Sequence, residues 1–306
     1  MTAVVVEAGP DKGAIWHFGQ PNHEQRDLFA GKAWADLGHR GLLSITGADR
    51  LTWLHALTTQ HLENLTPGTW ADALILDANG RIEDQLFLVD DGTTTYIHTE
   101  RERLADLINY LEKMKFMLRV EVADLSHTHT LLRAPGLPDN LGGPYAILPI
   151  EDRDATIEAF DSVATQIGTW ALEAERIAAG RARLLFETDN KSIPNELGFL
   201  NKAVHMQKGC YRGQETVAKV FNLGAPPRRL VLLHLDGSMA TLPNHGDKVF
   251  TQPTAENPEG KEVGFIGSAS RHYELGPIAL AVIRRNTPTD IELIVDGVTA
   301  QQEVLN

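Results

Sequence analysis

Two adjacent prolines, Pro226-Pro227, constrain the fold of this 306-residue chain most. Neither residue has a backbone N–H to donate, so a helix or a central strand cannot run through the pair. Beyond the prolines, short strand-like runs alternate with turns, at residues 229–235, 248–251, 261–269, 278–283 and 291–295. This pattern predicts a small closed β-barrel or sandwich domain over residues 227–306.

The part of the chain before the prolines mixes strand and helix patterns, which predicts an α+β class. Asn79-Gly80 lies between two strand-like runs and is typical of a tight hairpin turn. Residues 27–35 and 101–113 are predicted to form helices, the second with leucines at helical spacing. Residues 216–221 are predicted to form a strand. The length of the chain suggests roughly two or three domains in all.

Charge and cysteine content exclude several classes of protein. The chain has 28 Lys and Arg against 41 Asp and Glu, a net charge of −13, which disfavours binding to a nucleic-acid backbone. Its single cysteine cannot form an intramolecular disulfide, and no apolar run approaches the roughly 20 residues of a membrane span. The first residues do not resemble a signal peptide, so we expect a cytoplasmic protein, and we expect it to be a monomer.

The densest group of reactive side chains occupies residues 208–215, which read Lys208-Gly209-Cys210-Tyr211-Arg212-Gly213-Gln214-Glu215. A lone cysteine is often a small buried hydrophobe, whereas Lys208 and Arg212 would favour a thiolate if they lay close to Cys210. Both interpretations of Cys210 stay open from the sequence. A metal or iron-sulfur site built by this chain alone is not expected, since such sites normally need several ligands, many of them cysteines. Cys210 could still supply one ligand to a site shared with a partner.

Charged residues outside this segment are further candidates. Glu83 and Asp84 are neighbours in a predicted strand, so only one of them can face a given cavity. Asp84 could accept a proton from a bound amine or be an ordinary solvated carboxylate. Arg176 could bind a carboxylate through two hydrogen bonds or lie free on the surface. A group of acids at Glu187, Asp189 and Glu196 could line a pocket or belong to a plain surface loop.

The histidines do not predict a metal site. His55 and His61 are six residues apart in a stretch predicted to be helical, and at that spacing they are expected to face different sides. His127 and His129 share a face of a predicted strand, but the sequence suggests no third ligand beside them.

Segment 208–215 resembles the K-G-C-Y-x-G-Q-E motif of the YgfZ family of folate-binding proteins. These proteins are paralogues of the glycine-cleavage T-protein, an aminomethyltransferase. Further similar stretches lie at residues 41–50, 77–84, 175–180 and 263–280. The resemblance implies a three-lobed aminomethyltransferase-like arrangement, with two mixed α/β domains around a central cavity and a small C-terminal β-barrel. The implied domains are a folate-binding-type domain of residues 1–45 plus 125–222, an α+β domain of residues 46–124 inserted in it, and the barrel of residues 227–306.

The resemblance also implies a ligand, tetrahydrofolate or a derivative, and a part in one-carbon metabolism or iron-sulfur cluster assembly. Asp84 matches the aspartate near the reactive nitrogens of folate, and Lys208 and Cys210 match residues regarded as functional. A cationic rim is expected for the glutamate tail of folate, and acids are expected for its pterin ring. The residues assigned to this cavity besides Asp84 are Arg176, Glu187, Asp189, Glu196, Lys208, Tyr211 and Arg212.

Three functions are compatible with these features. The first is a tetrahydrofolate-binding accessory protein that supports assembly or repair of iron-sulfur enzymes, with Cys210 as a functional thiol at the cavity rim and iron-sulfur enzymes or assembly factors as partners. The second is a folate-dependent one-carbon transferase in which Asp84 orients or deprotonates the amine. The third is a scaffold without a ligand. Ala178 stands where the related helix has glutamate, so glycine-cleavage activity itself is not expected.

Overall fold

The chain forms two compact units. The computed structural model describes residues 2–137, 144–237, 241–255 and 257–305. The first unit comprises Met1–Asn79, Glu83–Ala171 and Asn201–Gln214. The second unit comprises Gly80–Ile82, Leu172–Leu200 and Glu215–Asn306. The division into three domains expected from the sequence stays a prediction.

Helices and strands alternate up to residue 223, and strands follow. The α-helices are α1 (Pro21–Phe29), α2 (Arg50–Leu57), α3 (Arg101–Met114), α4 (Arg153–Asp161), α5 (Thr169–Ala178) and α6 (Gln214–Leu223). Two short 3₁₀ helices span Ile150–Asp152 and Pro194–Glu196. The first eleven strands are β1 (Val4–Val5), β2 (Ile15–His17), β3 (Ala33–Asp36), β4 (Gly41–Thr46), β5 (Trp70–Leu76), β6 (Ile82–Asp90), β7 (Thr94–Thr99), β8 (Glu121–Asp124), β9 (His129–Arg133), β10 (Tyr145–Pro149) and β11 (Thr165–Gln166). The last six are β12 (Arg228–Leu235), β13 (Lys248–Thr251), β14 (Glu262–His272), β15 (Gly276–Arg284), β16 (Leu293–Val295) and β17 (Val298–Val304).

The first unit contains a five-stranded sheet in the order β5-β6-β7-β4-β8 and a four-stranded sheet in the order β10-β9-β3-β11. The smaller sheet takes its strands from both sides of the sequence that builds the larger one. In α3 the three residues Leu104, Leu107 and Leu111 recur at helical spacing, and their side chains enter the same core as Leu43 and Ile45 of β4. Burial of this apolar stripe fixes α3 against the sheet.

Strand β6 shows how a two-residue period places a functional side chain. Its even-numbered residues are buried, and they are Ile82, Asp84, Leu86, Leu88 and Asp90. Glu83 lies on the other face and is partly exposed. The hairpin predicted at Asn79-Gly80 is present, with Gly80 at φ 79°, a backbone conformation that glycine adopts without strain. Asp84 is therefore carried into the interior by the alternation of the strand itself.

The second unit contains a closed barrel in the order β12-β15-β14-β13-β16-β17. Alternate residues of β12, Val231, Leu233 and Leu235, point into the barrel core with Ala279 and Ala281 of β15. The barrel predicted after the proline pair is thus confirmed, and the sandwich alternative is excluded.

Two local predictions from the sequence are wrong. Residues 216–221 lie in helix α6 and do not form a strand. Val217 is the buried residue of that helix, and its spacing to Val220 and Phe221 fits a helix as well as a strand. The helix expected at residues 27–35 begins earlier, at Pro21, and ends at Phe29, because residues 33–36 pair in a sheet. None of the helices in the described ranges is long and apolar enough to cross a bilayer.

Candidate functional site

Lys208 ties the motif segment to the end of helix α2 in the first unit. Its Nζ donates hydrogen bonds to the carbonyl oxygen of Thr58 at 2.6 Å, to that of Gln60 at 3.2 Å, and to that of His55. The last carbonyls of a helix have no partner within it and carry its negative dipole end, so a cation is favoured there. Three acceptors use all three N–H groups of an ammonium ion.

The surroundings of Lys208 perturb its titration. Burial lowers the pKa of Lys208 to about 8, and the charge of Glu63 opposes this shift. The ring of Tyr211 lies 5.3 Å from Nζ, within the range of a cation–π contact, and burial raises the pKa of Tyr211 to about 12. Lys208 is only 6% exposed. It therefore differs from the rim cation expected from the sequence, because its charge is held by backbone carbonyls.

Further hydrogen bonds join the same two stretches of chain. The hydroxyl of Thr59 donates to the carbonyl of Ala203 at 2.6 Å, and the backbone N–H of His205 donates to the carbonyl of Thr59 at 3.0 Å. The side-chain amide of Gln60 donates to the carbonyl of Lys202 at 2.6 Å. The stretch that precedes the motif is thus fixed at several points.

Cys210 is an exposed free thiol. A Cβ built on Gly209 would meet no atom within 4 Å, so the approach to this part of the chain is open. Arg212, two residues on, is partly exposed, and its Nη1 lies 3.0 Å from Oε2 of Glu83. The structure therefore decides against the small buried hydrophobe that the sequence left open for Cys210.

Asp84 is a buried carboxylate with one cationic partner on α3. Nε of Arg103 donates to Oδ1 of Asp84 at 3.1 Å. Burial raises the pKa of Asp84, and the hydrogen bond from Arg103 reduces the shift. The neighbouring acids Glu83 and Asp106 raise it further. Asp84 therefore holds a proton more readily than an exposed aspartate does.

Arg176 lies in the second unit, where it is surrounded by acids. Its Nη1 donates to Oε2 of Glu187 at 2.9 Å, its Nη2 to Oγ of Ser268 at 2.8 Å, and its Nε and Nη2 to the carboxylate of Glu173. Glu187 is fully buried and also accepts a hydrogen bond from the backbone N–H of Arg183 at 2.9 Å. Burial alone would lower the pKa of Arg176, but Glu173 and Glu187 outweigh it and raise the pKa.

A glycine makes room for this buried pair. A Cβ at Gly267 would lie 2.6–2.9 Å from the side chain of Glu187, closer than real contacts allow. The absence of a side chain at Gly267 thus lets β14 approach the carboxylate of Glu187.

The other two predicted acids meet an arginine that the sequence did not single out. Arg228 donates to Oδ2 of Asp189 at 2.7 Å and to Oε1 and Oε2 of Glu196 at 2.9 and 2.8 Å. Burial would raise the pKa of Asp189, but the hydrogen bonds from Arg228, the backbone N–H of Lys191 and Ser192, together with the charge of Arg228, outweigh it and the pKa falls to about 2. Asp189 and Glu196 are therefore held by an internal cation, which differs from the pterin-facing role expected from the sequence.

The structure also corrects the expected placement of two histidines. Helix α2 ends at Leu57, so His61 lies beyond the helix, and its ring centroid is 4.8 Å from that of His55. The prediction that these side chains face different sides is wrong, because it assumed that the helix continued to residue 62.

Comparison with solved structures identifies the fold. The crystal structure of glycine cleavage system aminomethyltransferase T from Bartonella henselae matches 99% of this chain and 93% of that chain, with a TM-score of 0.81 and 18% identity. The fold is that of aminomethyltransferase T. The α+β, aminomethyltransferase-like class with a C-terminal barrel is thereby confirmed. At this level of identity the match concerns the fold alone.

Comparison with curated sequences finds relatives of low sequence identity. A protein of Aspergillus fumigatus named "Iron-sulfur cluster assembly factor IBA57 homolog, mitochondrial" is 24% identical, over 86% of this chain and 72% of that protein. Its namesake in Aspergillus oryzae is 24% identical, over 85% and 72%. A putative chloroplastic transferase of Arabidopsis thaliana is 25% identical, over 79% and 64%. No protein-family model matches the chain.

These relatives contradict the cytoplasmic location expected from the sequence, since their names place them in mitochondria and, in one case, in chloroplasts. The expectation rested on the absence of disulfides, of a membrane span and of a signal peptide. Those features describe the interior of an organelle as well as they describe the cytoplasm.

We predict that Lys208→Met loosens the motif segment. Three carbonyl oxygens lose their donor, which typically costs about 1–3 kcal/mol for a buried acceptor. Hydrogen exchange of the backbone amides at residues 203–211 should become faster. Lys202→Met is the matched control, since Lys202 is exposed and only its backbone carbonyl is bonded. Equal exchange in the two variants would show that Lys208 does not hold the segment.

We predict that Arg176→Met is strongly destabilising and that a second change, Glu187→Leu, restores part of the loss. The single change leaves a buried carboxylate without its cation, which typically costs about 3–5 kcal/mol, whereas replacing both charges by apolar groups is often neutral. Urea denaturation measures both variants. Arg181→Met, which breaks the more exposed pair with Glu175, should cost less than about 1 kcal/mol. A double variant no more stable than Arg176→Met contradicts the argument.

Proposed function

We propose that this protein is an accessory factor of iron-sulfur enzyme assembly or repair, that Cys210 is its functional thiol, and that it binds a tetrahydrofolate derivative. The observation that carries the proposal is an exposed lone thiol on a segment fixed by Lys208. The names of the mitochondrial relatives support the iron-sulfur part. The resemblance of segment 208–215 to the YgfZ motif supports both the thiol and the ligand.

The exposed position of Cys210 suits a thiol that acts with a partner. A thiol releases its proton to water when it binds iron, and the resulting thiolate is a strong ligand. A complete cluster site takes several such ligands, and Cys210 is the only cysteine in the chain. The remaining ligands would therefore come from a partner protein or from a small thiol.

The residues expected to hold folate fit this ligand only in part. Asp84 is buried with a raised pKa and could share a proton with the polar edge of a pterin ring. Arg212 is partly exposed and could exchange Glu83 for the carboxylate of a glutamate tail. In contrast, Arg176, Glu187, Asp189 and Glu196 are engaged in internal ion pairs. We therefore assign the ligand contacts of the first unit to Asp84, Tyr211 and Arg212.

A second function, folate-dependent one-carbon transfer, is favoured by one observation, the raised pKa of Asp84. In such a reaction Asp84 would accept the proton of the attacking amine. Formation of a one-carbon folate product from an aminomethyl or formaldehyde-derived donor, lost in Asp84→Asn, would establish it.

Calorimetric titration with tetrahydrofolate tests the ligand. We expect saturable binding that Asp84→Asn weakens about tenfold, because a buried carboxylate contact to a charged or polar group is worth on the order of 1.4 kcal/mol or more. Asp106→Asn is the matched control, since Asp106 contacts the same Arg103 but is largely exposed. No saturable binding by the wild-type protein would leave a scaffold without this ligand.

A complementation experiment tests the thiol. We expect Cys210→Ala to lower the activity of iron-sulfur enzymes in cells that lack the native gene, while the level and the unfolding transition of the protein stay unchanged. An exposed side chain contributes little to stability, so loss of function would not come from unfolding. Full complementation by Cys210→Ala would remove the thiol from the mechanism.

A further inference from the structure

Three imidazole rings gather where helix α2 ends in the first unit. The ring centroids of His55 and His61 are 4.8 Å apart, and those of His61 and His205 are 5.4 Å apart. Glu63 follows two residues after His61 and is exposed. We call His55, His61, Glu63 and His205 the histidine cluster.

The donor atoms of this cluster are close enough for a single ion. One ligand atom each from His55, His61 and Glu63 lie within 4.8 Å of one another. In a tetrahedral zinc site, with metal–ligand distances of about 2.0–2.2 Å, neighbouring donors are roughly 3.3–3.5 Å apart. A small rotamer change of the exposed Glu63 side chain can close much of the difference, and the ring of His205 lies beside that of His61.

Most donors of the cluster are not engaged elsewhere in the described part of the chain. No hydrogen bond there reaches the ring nitrogens of His61 or His205, and none reaches the carboxylate of Glu63. Nδ1 of His55 accepts a long hydrogen bond, 3.2 Å, from the backbone N–H of Leu62. A metal at Nε2 of His55 would shift the ring proton to Nδ1, and this long contact is the one interaction that would be given up.

Two charged side chains lie in or close to the cluster, the ammonium of Lys208 and the carboxylate of Glu63. The same ammonium repels a metal cation, and the carboxylate of Glu63 supplies a compensating negative charge. The positive charge of Lys208 is moreover shared with three carbonyl oxygens.

We propose that the histidine cluster binds a divalent first-row transition metal such as Zn²⁺, through His55, His61 and Glu63, with His205 or water in the remaining position. Imidazole and carboxylate together suit this class of ion. Binding would join the loop after α2 to the stretch before the motif, because His61 and His205 lie on the two sides. The proposal is independent of the folate and thiol roles, since it uses neither Asp84 nor Cys210.

Metal titration of the full chain tests the proposal. Co²⁺ serves as the spectroscopic probe, because its visible absorption bands report nitrogen and oxygen ligands, and Zn²⁺ is then measured by competition. We expect one Co²⁺ per chain, with affinity lowered about tenfold or more in His61→Ala and in Glu63→Gln. Both changes are at solvent-accessible positions, and circular dichroism checks that each variant is folded.

Two outcomes would overturn the metal site itself, and a third would overturn its ligand set. One is the absence of a saturable Co²⁺ signal from the wild-type chain. The other is equal loss of affinity in His127→Ala, which removes an exposed histidine outside the cluster, since the ion would then be bound by scattered surface histidines. The third outcome is an unchanged Co²⁺ affinity in Glu63→Gln together with a lowered affinity in His61→Ala and His205→Ala. It would show that the ring of His205, and not the carboxylate of Glu63, is the third ligand, and it would overturn the proposed ligand set.

Discussion

The hydrogen bonds from Lys208 to the end of helix α2 are the constraint on which the candidate site of the first unit depends. They place a cation against carbonyl oxygens that the helix leaves without partners, and they do so about 150 residues away in sequence. Because the ammonium is fixed inside, the next residues of the motif are held near the surface. Cys210 is exposed as a result. Its position is set by the hydrogen bonds of Lys208 and not by contacts of its own side chain.

In the first unit a buried cation is held by backbone carbonyls, whereas in the second unit buried acids are held by arginine side chains. Its buried acids are paired with arginines, Glu187 with Arg176 and Glu196 with Arg228. A buried carboxylate is tolerated only when a cation or several donors hold it, so these pairs account for acids that lie close to a reactive motif in sequence. Glu187 and Glu196 are thus engaged inside the unit, whereas Cys210 is exposed and Asp84 has a raised pKa.

Asp84 of the first unit and Asp189 of the second unit differ in their affinity for a proton. Asp84 is brought inside by the alternation of strand β6, and burial raises its pKa although Arg103 donates a hydrogen bond to it. Asp189, with Arg228 beside it, has its pKa lowered to about 2. Two aspartates of the same intrinsic acidity thus have different proton affinities. Burial outweighs the hydrogen bond from Arg103 at Asp84, whereas several hydrogen bonds, the strongest from Arg228, together outweigh burial at Asp189.

The sequence by itself determined the α+β class, a C-terminal domain of short strands, the hairpin at Asn79-Gly80 and the burial of one member of the Glu83 and Asp84 pair. These depend on local periods and turn preferences, which a single chain displays directly. Only the tertiary structure decided which acid meets which arginine, that Lys208 is buried while Cys210 is exposed, and that His55, His61 and His205 come together. Those facts depend on contacts between distant residues, such as Lys208 with Thr58, and on where a helix ends, as α2 does at Leu57. Residue spacing along the chain shows neither which distant residues contact each other nor where a helix ends.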